Sequence, residues 1–66
     1  MIYNVMLVRP MTKTQKESML VYTTNIEEHF NEFIGNFVDC YDSVGVRYET
    51  KYVRGKYIET LFVEIM

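Results

Sequence analysis

One cysteine, one proline, one histidine and no tryptophan occur in these 66 residues, and each scarcity closes a class of explanation. Cys40 alone cannot form an internal disulfide, so the chain is not a cross-linked secreted scaffold, and a reducing, cytoplasmic setting is expected. His29 is the one imidazole, and a metal centre built from three or four His and Cys ligands has no material here. His29 and Cys40 stand eleven residues apart on one predicted helix. At roughly 1.5 Å per residue that is about 16 Å, too far for a nucleophile and its base. Three isolated glycines make no phosphate-cradling loop. The longest uninterrupted apolar stretch, Val5 to Val8, falls far short of the roughly 20 residues of a membrane-spanning helix. The N-terminus has no basic segment followed by an apolar one, so a soluble, unprocessed protein is expected. No cofactor, metal or catalytic residue is assigned, and the chain reads as a non-enzyme.

Basic residues are missing from one region. Asn25 to Asp42 holds five acids and no Lys or Arg, while the rest carries seven bases against four acids. The net charge of −2 thus divides into about −5 on one segment and +3 elsewhere.

Apolar residues are abundant, at 48% with six Tyr and four Phe, which excludes disorder and predicts one domain spanning 1–66. Domains this small bury only about 60% of their unfolded surface, so a partner chain is expected to take part of the apolar area. The clearest local pattern is in the acidic segment, where Ile26, Phe30, Phe33, Ile34, Phe37, Val38 and Tyr41 recur at helical spacing. Between them lie Glu27, Glu28, Asn31, Glu32, Asn36 and Asp39. The helix is expected to start at a cap on Thr24 or Asn25, run to about Tyr41 and leave through Asp42-Ser43. Its acidic first turn suits the helix dipole.

Around this helix the chain reads as strands. Ile2 to Val8 is apolar on both faces, as a central strand is, and stops at Arg9-Pro10. Residues 11–18 are polar and read as a loop in preference to a helical turn begun at Thr12. Met19 to Thr23 is expected to return antiparallel. Val44 to Val53 alternates, with Val44, Val46, Tyr48 and Tyr52 on one side and Arg47, Glu49 and Lys51 on the other. After the turn at Arg54-Gly55, Tyr57 to Met66 is the last strand. A two- or four-residue loop pairs Tyr52 with Tyr57, Tyr48 with Leu61, Val46 with Val63 and Val44 with Ile65, and so predicts one buried face. A three-residue loop is the rival register. The expected fold is α+β: a ββαββ module with one helix across a four-stranded antiparallel sheet.

Known small scaffolds fail on their key residues. A tautomerase needs proline after the initiator methionine, and Ile2 is there. A ubiquitin-like sulfur carrier ends in Gly-Gly, where Ile65-Met66 stands. An RNA-recognition domain of the ribonucleoprotein type needs a second helix.

Two functions then compete. In the first, the protein binds another protein and blocks or redirects it, with Glu27, Glu28, Asn31, Glu32, Asp39 and Asp42 entering a basic groove. Ile58 and Phe62, on the uncovered sheet face, would then serve self-association into a homodimer. In size and pattern such a module is similar to the accessory proteins with which phages inhibit host enzymes. In the second, Arg9, Lys13, Lys16, Arg47, Lys51, Arg54 and Lys56 bind nucleic acid, with Tyr52 and Tyr57 as stacking surfaces. The net negative charge and a pI near 5.2 argue against it.

Overall fold

A computed structural model describes residues 1–40 and 43–65. The element order is β1 (Ile2–Pro10), β2 (Lys16–Thr24), α1 (Glu27–Cys40), β3 (Ser43–Val53) and β4 (Lys56–Ile65). The fold is α+β, with one helix on one four-stranded sheet, as the sequence patterns require.

The sheet itself differs from expectation. Its strand order is β2-β1-β4-β3, with antiparallel β1/β2 and β3/β4 hairpins, but β1 and β4 lie parallel at the centre. A purely antiparallel sheet is therefore corrected to a mixed one. The cause is the connection: the helix carries the chain from one edge strand to the other, so the last strand arrives beside the first in the same direction.

Local chemistry explains the remaining boundaries. The loop is 11–15 rather than 11–18. The Thr12 hydroxyl accepts from the Thr14 and Gln15 amides at 3.3 and 3.0 Å, and the Gln15 carbonyl accepts from the Met11 amide at 2.9 Å. This closes a tight turn and lets β2 begin at Lys16, whose polar start suits an exposed edge. Near its middle β2 bulges, since Val5 opposes Tyr22 while Met6 opposes Leu20. The expected helix cap also moves. Thr24 accepts from the Ile26 amide at 3.2 Å, a turn just before the helix, and the Ile26 carbonyl takes the first helical bond, from Phe30 at 3.1 Å. Ile26 is thus the capping position. The expected helix end at Tyr41-Asp42 falls outside the described residues.

Arg54 and Gly55 both have positive φ, 51° and 79°, the signature of a two-residue type I′ turn. That turn fixes the β3/β4 register as expected through Tyr52/Tyr57, Tyr48/Leu61 and Val46/Val63. At the far end a bulge places Ser43, not Val44, opposite Ile65.

The core sits between α1 and the centre of the sheet. Tyr3, Val5, Phe30, Leu61 and Val63 are buried together, flanked by half-buried Phe33, Ile34 and Phe37. Phe30 stacks on Tyr3 at 4.8 Å, and Phe33 stacks on Tyr22 at 4.1 Å. The helix packs chiefly on β1 and β2. A helix is about 10–12 Å wide and strands are spaced about 4.8 Å apart, so one helix cannot cover four strands.

Candidate protein-binding surface

β3 is the strand left out. On the helix side of the hairpin, Val46, Tyr48 and Tyr52 of β3 and Tyr57 of β4 are 47%, 59%, 64% and 53% exposed. The register predicted from sequence holds from Val46 to Tyr52 and fails at Val44, and the prediction that it buries Val46, Tyr48 and Tyr52 is wrong. Burial on this side ends at Leu61 and Val63. Tyr52 and Tyr57 meet across the hairpin at 4.8 Å, with rings tilted by 57°. The result is an aromatic row in water, rigidly based because each ring rises from a paired strand.

Acid flanks this row. Burial raises the Tyr3 phenol above its usual value, and the nearby carboxylates of Glu27 and Glu59 push it further. Glu27 is thus on the Tyr3 side of α1, and Glu59 lies beside Tyr3 in the register of β4. Glu32 belongs to the other flank, where it shares a shallow groove with Tyr22, His29, Phe33 and Asn36. Glu27, Glu28, Asn31 and Glu32 are all exposed and share the outward side of the helix, an arc of about 140° with Glu27 and Glu32 at its two ends. The side chain of Asp39, and Asp42 altogether, lie outside the described residues.

The opposite face of the sheet carries Ile58 and Phe62, the pair expected to self-associate. Both are half-buried. The Arg47 guanidinium lies 4.1 Å from the Phe62 ring centroid, and Lys16 of β2 pairs with Glu64 of β4 across Val8 of β1, which is buried. Long charged side chains thus cover this apolar stripe with their own stems. The face has a partial cover, and the tyrosine row does not.

The proposed nucleic-acid residues are divided in space. Arg9, Lys13 and Lys16 belong to the β1/β2 turn, whereas Arg54 and Lys56 belong to the β3/β4 turn. Because β1 and β4 are parallel, these turns lie at opposite ends of a molecule 37 Å long. Four of the seven bases are also paired with carboxylates: Arg9 with Glu17 at 2.8 Å, Lys16 with Glu64, and Arg47 and Lys51 with Glu49 at 3.2 and 3.0 Å. The hydrogen bond and charge of Lys51, then those of Arg47, hold the Glu49 carboxyl below its usual range. Arg54 and Lys56 enter no ion pair among the described residues.

Among the described residues no three His, Cys, Asp or Glu side chains could hold a metal ion together, and no helix is long and apolar enough to cross a membrane. No known protein family, curated protein or solved structure matches the chain. The sequence offered Tyr52 and Tyr57 only as stacking surfaces for nucleic acid and placed Val46, Tyr48 and Tyr52 in a buried face, because alternation marks one face of a strand without saying what covers it.

Proposed function

We propose that this protein is a non-enzymatic binding module that engages another protein through the helix side of its β3/β4 hairpin. One observation carries the reading: Val46, Tyr48, Tyr52 and Tyr57 form a row on paired strands with no helix above them. Tyrosines of this kind bring large contact area at low entropic cost, and they dominate binding energy where they occur. Their flank is acidic, with Glu27 and Glu59, so the partner segment it suits carries Lys or Arg side chains that can lie over the rings and meet the carboxylates. Blocking or redirecting that partner is the action open to a module without catalytic groups.

The test is an amide NMR titration with a Lys/Arg-rich peptide, run in parallel with an acidic peptide of equal length. Shifts centred on Val46, Tyr48, Tyr52, Tyr57 and Glu59 with the basic peptide alone support the proposal. Shifts confined to the Tyr22 groove or to the opposite sheet face overturn it.

A second reading keeps the hairpin tip as a contact for single-stranded nucleic acid, because unpaired Arg54 and Lys56 sit beside the Tyr52/Tyr57 pair. An oligonucleotide titration at low salt addresses it, and shifts restricted to residues 52–57 are its signature.

A further inference from the structure

β3 ends the sheet with an unpaired edge, and its sequence is complementary to itself. We infer that two copies of this chain join through β3, antiparallel about a two-fold axis at Tyr48, into one eight-stranded sheet.

Backbone geometry comes first. The two-residue turn makes Val53 and Lys56 a hydrogen-bonded pair, and bonded pairs then alternate along the hairpin. Lys51, Glu49 and Arg47 therefore point their amides and carbonyls into β4. Tyr52, Thr50, Tyr48 and Val46 point theirs outward, where no strand receives them. From Val46 to Val53 this edge has no bulge and no proline, two of the devices that blunt one, and its charges, Arg47, Glu49 and Lys51, alternate in sign and so can pair with a copy of themselves. The other edge, β2, is interrupted by its bulge at Tyr22/Leu20.

Side chains then select the register. Centred on Tyr48, Arg47 faces the partner's Glu49 and Glu49 faces the partner's Arg47. Tyr48 faces its own counterpart, and Val46 faces the partner's Thr50. This register sets the regular stretch Gly45–Lys51 against itself and ends at the bulge after Ser43. Moving the centre to Glu49 opposes the two Glu49 carboxylates and sets Arg47 against the partner's Lys51. Moving it to Arg47 opposes two guanidiniums. A centre at Thr50 overlaps residues 47–53 and gives Glu49/Lys51 pairs, in which a point-charge ammonium replaces the planar guanidinium that can hold a carboxylate with two bonds. Like charges directly opposite are destabilising, so the alternation of Arg47, Glu49 and Lys51 excludes the neighbouring registers.

Surface area agrees. A monomer of 7.9 kDa is expected to expose about 4,400 Å², and this chain exposes 5013 Å². The excess, about 600 Å², approaches the roughly 800 Å² that one partner contributes to a standard interface. In the dimer the two tyrosine rows merge across the axis into one floor with a helix beyond each side. The inference thereby deepens the binding proposal, yet it is tested on the protein alone, so the two fail separately.

Sedimentation equilibrium at about 100 µM, with amide hydrogen exchange by NMR, decides it. The expected mass is twice 7.9 kDa, with the outward amides of Val46, Tyr48 and Thr50 protected at least tenfold relative to a dilute sample. A monomer at that concentration, or a dimer whose three amides remain unprotected, overturns the inference. R47E and E49R should each weaken dimerisation by at least about tenfold, and the double variant R47E/E49R should restore it. K51E should change it less than about twofold, because Lys51 faces the partner's Gly45. Loss of the dimer in K51E with retention in R47E would instead establish the Thr50 register and overturn this one. Circular dichroism of each variant separates dissociation from unfolding.

Discussion

The two hairpins have the same antiparallel design and opposite fates. β1/β2 lies under the helix, and β1 contributes Tyr3, Val5, Leu7 and Val8 to the buried set. β3/β4 begins inside that core at Leu61 and Val63 and leaves it towards the turn, so that β3 has no buried side chain among its described residues. Apolar burial holds α1, β1 and the Leu61–Val63 end of β4. β3 and the turn end of β4 are held by a backbone ladder, by the turn and by surface ion pairs. Stability and recognition can therefore be altered independently, and substitution should expose the division.

The largest effect belongs to the covered half. Phe30 is 3% exposed and stacks on Tyr3, so Phe30→Ala should cost about 3–5 kcal/mol, most or all of the stability of a domain this size. Urea unfolding monitored by circular dichroism should show loss of the cooperative transition. In contrast, Tyr52 is 64% exposed, and Tyr52→Ala should cost about 0.5–1 kcal/mol through its cross-strand contact with Tyr57. The same substitution should weaken a basic peptide at least about tenfold. Equal destabilisation by the two variants would abolish the distinction between the halves.

A smaller effect, of opposite sign, lies in the turn. Arg54 holds φ at 51°, a region that Asn tolerates better than Arg, and its neighbour Gly55 already suits the second turn position. Arg54→Asn should stabilise the hairpin by about 0.5–1 kcal/mol and raise the urea midpoint. A lowered midpoint would mean that Arg54 contributes a side-chain interaction worth more than its strain.

These contrasts also show why the sequence is legible in one half and misleading in the other. The stripe Phe30-Phe33-Ile34-Phe37 and the alternation from Val46 to Tyr52 are local patterns, and local patterns predict elements and register. β1 was readable as central because both its faces are apolar. Strand order is not local: nothing in β1 or β4 states that they are neighbours, and their parallel pairing follows from where one helix delivers the chain. The width of that helix also decides which tyrosines are covered. For the candidate site, the acidic segment was legible as charge, but Glu27 and Glu32 fall on different flanks. The bases of β3 read as a phosphate surface, although Glu49 already lies between them.

The finest test uses pH, because among the described residues Tyr3 in one half and Glu49 in the other have shifted titrations. Tyr3, in the covered half, has its phenol raised above 10.0 by burial first, then by Glu27 and Glu59. Its contribution to stability is present below that usual value and is lost as pH rises through the folded value, when the unfolded chain ionises first. Glu49, in the bare half, has its carboxyl lowered from 4.5, first by Lys51 and then by Arg47. Its contribution is present above 4.5 and is lost as pH falls through the folded value. Tyr3→Phe should flatten the alkaline limb of the stability profile and leave the acid limb intact, and Glu49→Gln should do the reverse. The Glu49 step arises from a half-buried carboxylate paired with exposed Lys51 and Arg47, and is screened by salt. If β3 pairs with its copy, the acid step must also appear in the dimerisation constant, because a protonated Glu49 no longer attracts the partner's Arg47. A dimer whose affinity stayed constant from pH 7 to pH 3 would remove those charge pairs from the interface, and with them the reason for a register centred on Tyr48.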